Sequence, residues 1–305
     1  MSARFLYNSN VMKIHLNGEL VAKEDAKISV FDHGFLYGDG VFEGIRIYNR
    51  RIFRLDAHME RLYKSAKAIW LIPPLSMAEM KQAIIDTVVA NQLNDGYIRA
   101  IISRGTGDLG LDPRKCPKPT VVVIADGITL YPKEVYEQGM ECITVATRRS
   151  APDVLNPAIK SLNYLNNILA KIECIRAGVP ECIMLNQNGM VAECSGDNIF
   201  ILHKDYRGRL QLRTPPVSAG ILEGITRDVV MEIAEKAGIE CVEKEIALFD
   251  IYGAEEAFLT GSAAEVVPVT TLDNRPIGTG KPGEVTWKLI KLFKELSQNE
   301  GNPVF

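Results

Sequence analysis

Residues 158–170 read Ala158-Ile-Lys-Ser-Leu-Asn-Tyr-Leu-Asn-Asn-Ile-Leu-Ala170, and the reading of the whole chain turns on them. Leu162, Leu165, Leu169 and Ile172 recur at helical spacing, so a helix is expected over about 162–177, stopped by Gly178. Lys160 stands just before that helix. By itself such a lysine is an ordinary solvated charge. Its weight comes from three segments that follow it in order.

The first is Gly189-Met-Val-Ala-Glu-Cys-Ser-Gly-Asp-Asn-Ile-Phe200, in which Glu193 precedes a Ser-Gly-Asp turn. The second is Gly220-Ile-Leu-Glu-Gly-Ile-Thr-Arg-Asp228. Gly224 and Thr226 open a helix there, and the free amides of a helix start attract phosphate. The third is Thr260-Gly-Ser-Ala-Ala-Glu265, a turn of small residues after a strand. Taken singly, these read as an exposed acid, a helix cap and a common turn.

Outward from this core, Asn17-Gly18 between apolar runs at 12–15 and 20–22 signals a hairpin. Strands are expected at 41–48 and 51–55 about a turn at Asn49-Arg50. Asp56 is expected to cap a helix carrying Met59, Leu62, Tyr63, Ala66 and Ile69, which Pro73-Pro74 stops. Ser76 and Glu79 form a capping box for a helix striped by Met80, Ile84, Val88 and Leu93. Residues 97–103 and 120–125 read as strands. Residues 126–138 carry turn residues and little period. Later come a strand at 141–147, a hairpin of 182–185 and 190–192 about Asn188-Gly189, and a helix at 226–237. Strands at 240–245 and 257–260 and a helix at 284–296 complete the pattern. The mixture lacks strict strand–helix alternation, so an α+β fold is expected. The divisions expected are a small domain over 1–127, a connection over 128–140 and a large domain over 141–305.

The chain has 305 residues, 47% apolar and 24% charged, with a net charge of −3. That is the composition of a soluble globular protein, with no bulk attraction to nucleic acid or anionic membrane. No apolar run approaches the roughly 20 residues that span a bilayer, and no signal peptide is legible, so a cytoplasmic address is expected. The six cysteines form no C-x-x-C pair, and the four histidines stand apart. No metal and no disulfide are expected. Gly105, Gly107 and Gly110 spell G-x-G-x-x-G, but Leu111-Asp-Pro113 and Pro117 follow where a dinucleotide site needs a helix start. Nicotinamide and flavin chemistry are set aside on that ground. Gly280-Lys281 lacks the upstream glycine of a phosphate loop.

Together and in this order, these segments resemble the class IV aminotransferases, the fold-type IV pyridoxal-phosphate enzymes. Tyr37-Gly-Asp-Gly-Val-Phe-Glu-Gly-Ile-Arg46 and His58-Met-Glu-Arg-Leu62 agree with it. The likeness runs from about Met12 to about Leu296 and is greatest to branched-chain amino-acid aminotransferases. The resemblance implies a two-domain fold like that of D-amino-acid aminotransferase, with pyridoxal 5'-phosphate between the domains. It implies that Lys160 holds the cofactor as a Schiff base and then shuttles the α-proton, and that Glu193 pairs with the pyridine nitrogen. By the same likeness Tyr164 bonds the ring oxygen, and Leu222 packs on the ring face. Arg61, Ile225, Thr226 and Ser262 hold the phosphate. Tyr37, Phe42, Arg46, Tyr97, Arg99, Ile128 and Tyr131, with Ser262 and Ala263, fall on the substrate side, Arg99 at the position that helps accept the second carboxylate of glutamate. The implied reaction is transfer of the amino group of leucine, isoleucine or valine to 2-oxoglutarate, in branched-chain amino-acid biosynthesis. A homodimer or higher homo-oligomer is implied as well. D-amino-acid and amine transaminases and aminodeoxychorismate lyases share the scaffold. Against the first stand Tyr164 and the stretch Asp108-Leu-Gly-Leu-Asp-Pro113, which lacks the Arg-x-His carboxylate trap of that group.

Overall fold

The computed structural model describes residues 11–305. The chain divides into two compact units, residues 11–128 with Gly301–Phe305, and Thr129–Glu300.

Unit 1 begins with β1 (Lys13–Leu16) and β2 (Glu19–Ala22), paired so that Leu16 faces Glu19. Asn17 and Gly18 both take positive φ, 51° and 100°, as the two-residue turn requires. There follow α1 (His33–Tyr37), β3 (Gly40–Tyr48), β4 (Arg51–Ile52), α2 (Leu55–Ala68), α3 (Met77–Ala90), β5 (Gly96–Ser103) and β6 (Thr120–Asp126). The sheet order is closing strand Asn302–Pro303, β4, β3, β5, β6, β1, β2. Successive side chains of β3 point to opposite faces. Val41, Ile45 and Ile47 join Met59 and Leu62 of α2 and Met80, Ile84 and Val88 of α3 in one core. The Ser76–Glu79 capping box forms as read, with Ser76 N donating to Glu79 Oε2 at 2.7 Å and Glu79 N to Ser76 Oγ at 3.3 Å.

Asp56 does not cap α2. The helix starts two residues earlier than that cap implies, because Leu55 is fully buried, and its N-cap is Arg54 with φ 49° and no side-chain cap bond. Asp56 lies in the first turn, where an acid still suits the helix dipole, and pairs with Lys81 at 2.5 Å. The run 51–55 yields only the two-residue β4, since the helix claims Leu55.

Unit 2 holds α4 (Lys133–Gln138), β7 (Met140–Thr144), α5 (Leu165–Ala177), β8 (Glu181–Ile183), β9 (Asn198–Lys204) and β10 (Leu210–Thr214). It continues with α6 (Ile225–Lys236), β11 (Cys241–Glu243), α7 (Leu248–Tyr252), β12 (Glu256–Gly261), β13 (Glu265–Leu272), β14 (Arg275–Pro276) and α8 (Glu284–Asn299). The sheet runs β11-β10-β9-β12-β13-β7-β8, with β14 beside β13. Strand pairs β10–β11, β13–β7 and β7–β8 are parallel, so helices and antiparallel hairpins share one sheet, as an α+β fold should.

Two boundaries differ from the expected division. Asn302–Pro303 pairs with Arg51–Ile52, so the last five residues belong to unit 1 and not to the large unit. Residues 133–138 of the expected connection are helical. The hairpin expected about Asn188-Gly189 is reduced to a bridge between Leu185 and Val191, extended by Met184 N to Glu193 O at 2.8 Å. β8 pairs instead in parallel with β7. Helix α5 starts at Leu165, three residues later than expected, which leaves Lys160 on the preceding loop.

Candidate active site

Glu193 is a buried acid of unit 2 held by three donors. It follows the Leu185–Val191 bridge and is only 4% exposed. Its Oε1 accepts from Arg149 Nε at 2.6 Å. Its Oε2 accepts from Leu222 N at 2.9 Å and from Asn198 Nδ2 at 3.3 Å. Burial pushes this carboxyl above its ordinary range, against the opposing pull of Arg149, the Leu222 amide and Lys160. A second cation placed here would therefore be welcome.

Lys160 lies close enough to Glu193 to act on its charge. Its Nζ donates to Tyr164 Oη at 3.1 Å, the four-residue interval that the sequence suggested. Tyr164 is the N-cap residue of α5, so the helix start fixes its backbone.

The helix start at α6 is reached through Asn198. Gly224 is the N-cap residue, with no side-chain cap bond. A Cβ on Gly224 would stand 2.0 Å from Asn198 Oδ1, so the close approach requires glycine. Ile225 and Thr226 follow in the first turn, both buried. Asn198 also faces Thr260 across β9–β12, which places the Gly261-Ser262-Ala263 turn at the same sheet end. Thr260 Oγ1 is buried with no hydrogen-bond partner. Asp197 underlies that turn, since a Cβ on Gly261 would lie 1.9 Å from its Oδ1. Burial and the neighbouring Glu181 push the Asp197 carboxyl up to about 7. Tyr131 is half-buried, 6.3 Å from Tyr136; burial, then Asp197 and Glu181, push its phenol far up.

These residues fit pyridoxal phosphate. The amine, the phenol and the buried carboxylate meet in one charge field. The glycine-started helix offers amides for an anion, and Glu193 still gains from a cation.

Unit 1 carries most of the residues expected on the substrate side. Phe42, Gly44 and Arg46 of β3 share a sheet face with Tyr97 and Arg99 of β5, in the register Gly44–Arg99 and Arg46–Tyr97. The Arg99 guanidinium lies 4.5 Å from the Phe42 ring centre, and its Nη2 donates to Tyr97 Oη at 3.2 Å. Arg46 stacks over Tyr48 at 4.8 Å. Tyr37 is apart on α1, where its Oη donates to Leu109 O at 2.6 Å. Ile128 ends the unit and carries none of the contacts described here. Arg61 donates Nε and Nη2 to Glu43, on the opposite face of β3, at 2.7 and 2.8 Å.

Tyr97 folds over Gly44, where a Cβ would come 1.9 Å from its Oη. A Gly44→Ala variant should therefore swing Tyr97 off Arg99. Only the far end of a side chain must yield, so unfolding free energy should change by less than about 1 kcal/mol. KM for the acceptor acid should rise several-fold while kcat holds. An unchanged KM would remove Tyr97 and Arg99 from substrate recognition.

Sequence reading missed Arg149, Asn198 and Asp197 as parts of this site. Asn198 and Asp197 lie inside the quoted Glu193 segment. Arg149 lies in a stretch without period. It also missed the convergence of Cys174, Glu181 and Cys182. That cluster is a hydrogen-bonded core, because Glu181 accepts from Cys182 N and Ser195, with Lys171 Nζ 3.5 Å away.

Comparison with known proteins agrees with the geometry. The sequence model of the amino-transferase class IV family matches residues 40–272. A provisionally named branched-chain-amino-acid aminotransferase of Methanocaldococcus jannaschii is 51% identical over 96% of this chain and 99% of its own length. The crystal structure of the Escherichia coli branched-chain amino acid aminotransferase superposes with TM-score 0.91 at 35% identity, over 96% of both chains. The branched-chain aminotransferase of Thermoproteus uzoniensis, solved with norvaline, gives TM-score 0.89 at 37% identity, over 96% of this chain and 99% of that one. The amine, acid and helix-start group of unit 2 thus lie in a fold and sequence background already tied to amino-group transfer, and this chain belongs to the class IV aminotransferases.

Proposed function

We propose that this protein moves the amino group of leucine, isoleucine or valine to 2-oxoglutarate, releasing the branched-chain 2-oxo acid and L-glutamate. The observation that carries the reading is the Lys160 amine donating to Tyr164 Oη at 3.1 Å, in the same unit as a buried Glu193 carboxylate held by Arg149, Leu222 N and Asn198. Pyridoxal phosphate is the cofactor of this family, and when bound it supplies an aldehyde for the amino group and a ring that draws electrons from the substrate α-carbon.

Lys160 would hold the cofactor covalently, and its Nζ, when neutral, would take the proton from the substrate α-carbon and give it back in the reverse half of the exchange. Tyr164 holds the amine in place during both transfers. Glu193, fixed by three donors, would pair with the ring nitrogen of the bound cofactor and favour its protonated form. The Ile225 and Thr226 amides and the Ser262 hydroxyl would hold its phosphate. Phe42 and Tyr97 form an apolar wall suited to branched side chains, and Arg99 takes the second carboxylate of 2-oxoglutarate.

A panel of amino donors at fixed 2-oxoglutarate tests the reading. L-Leucine, L-isoleucine and L-valine should turn over, and D-alanine should not. Turnover of D-alanine alone would transfer the reading to the D-amino-acid branch.

The outer face of α5 supports a homodimer. Leu165, Ile168, Leu169, Ile172 and Ile175 are each 45–69% exposed there, an apolar stripe that water disfavours. Sedimentation of the same preparation should give at least twice 33.8 kDa. Among the described residues, no helix is long and apolar enough to cross a membrane.

A further inference from the structure

We propose that Arg149 is a positioning residue that keeps the Glu193 carboxylate ionised and aimed, and that ties this aim to the segment carrying Lys160. The inference rests on the functional reading above and deepens it. Arg149 lies beyond the end of β7, and its side chain and that of Glu193 are 8% and 6% exposed. Its Nε meets Glu193 Oε1 at 2.6 Å. Its Nη1 donates to Asn166 Oδ1 at 2.9 Å and to Asn167 Oδ1 at 3.3 Å, both in the first turn of α5. Asn167 Nδ2 in turn donates to Ser195 O at 2.8 Å, two residues past Glu193. One guanidinium therefore spans the acid and the helix whose start carries Tyr164.

Among the described residues, the second oxygen of Glu193 accepts from two neutral donors, Leu222 N and Asn198 Nδ2. The charged and titratable groups that face Glu193 are Arg149, Lys160, Asp197 and Cys194. Lys160 gives and takes protons during the reaction, so its charge is not constant. Asp197, where ionised, would oppose the carboxylate charge, and the Cys194 thiol is held neutral by burial. Arg149 stays cationic throughout, because a guanidinium does not deprotonate in proteins. Without it, burial decides, and an isolated buried carboxyl takes up a proton. A neutral Glu193 no longer favours a protonated ring nitrogen.

The test uses the full chain, stripped of cofactor and titrated with pyridoxal phosphate by equilibrium dialysis from pH 6 to 9. The variants are Arg149→Met, Arg149→Lys, Glu193→Gln and the double variant Arg149→Met with Glu193→Gln. Arg149→Met should bind the cofactor roughly tenfold or more weakly at pH 7, because each tenfold loss of the ionised acid weakens a contact that needs it by the same factor. The deficit should shrink toward pH 9. Infrared difference spectra should show, in Arg149→Met, a protonated-carboxyl band beyond the Asp197 contribution that all four proteins share, and the double variant should lack that added band. Arg149→Lys should move the same way by less, and it carries the test if the methionine variant does not fold. Equal affinity and no new band in Arg149→Met, beside weakened binding in Glu193→Gln, would overturn the proposal and leave the functional reading standing. Wild type that binds no cofactor, or Glu193→Gln that binds as tightly as wild type, would sink the functional reading and this inference with it.

Discussion

Lys160→Ala should lower kcat with L-leucine and 2-oxoglutarate by at least about 10⁴-fold, since it removes both a covalent anchor and the group that moves the proton. Lys160 lies on the loop before α5 and is only half-buried, so its truncation should leave the fold intact. Far-ultraviolet circular dichroism and the thermal midpoint of cofactor-free protein should match wild type. Lys160→Arg, which keeps a positive charge but offers no amine able to give up its proton at neutral pH, should be equally inactive. An arginine variant with more than a few per cent of wild-type turnover would show that charge, not the amine, is what position 160 supplies.

Glu43→Gln should lower stability by about 3–5 kcal/mol, because it removes the carboxylate charge to which a mostly buried guanidinium and a buried imidazole both donate. Glu43 is fully buried on β3 and receives Arg61 Nε at 2.7 Å, Arg61 Nη2 at 2.8 Å and His58 Nδ1 at 2.8 Å. Burial alone would raise its carboxyl, but Arg61 and His58 outweigh it and hold the group well below the carboxylate range. A folded-state value below the unfolded one adds stability above the unfolded value, near 4.3, and that contribution drains away as pH falls. The gap between wild type and variant should therefore be constant above about pH 5 and narrow steadily in more acid solution. Urea midpoints at pH 7 and pH 3 check this. A gap that widens on acidification would mean that Glu43 is not ionised in the folded protein.

Much of the local structure was legible because short-range chemistry dictates it. Asn17-Gly18 could accept positive φ at both positions, and Ser76 with Glu79 could satisfy two helix-start amides without help from elsewhere. The central strands were harder. β9 and the middle of β13 are buried along most of their length, so Ile199-Phe-Ile-Leu202 shows no alternation to read. The start of α2 was misplaced because burial of Leu55, not a capping side chain, sets it.

The sequence by itself determined which chemical groups this protein carries and their order: Lys160, Tyr164, Glu193, the Gly224 helix start and the Ser262 turn. Their types and spacing survive any reading of the fold, because each depends on neighbours a few residues away. Tertiary structure alone decided who meets whom. It set Arg149 on Glu193 across 44 residues, laid Asn198 beside Thr260 by strand pairing, and returned Asn302–Pro303 to the first unit. Those contacts follow from closing long loops around a shared core, and such closure leaves no period in the residues it joins.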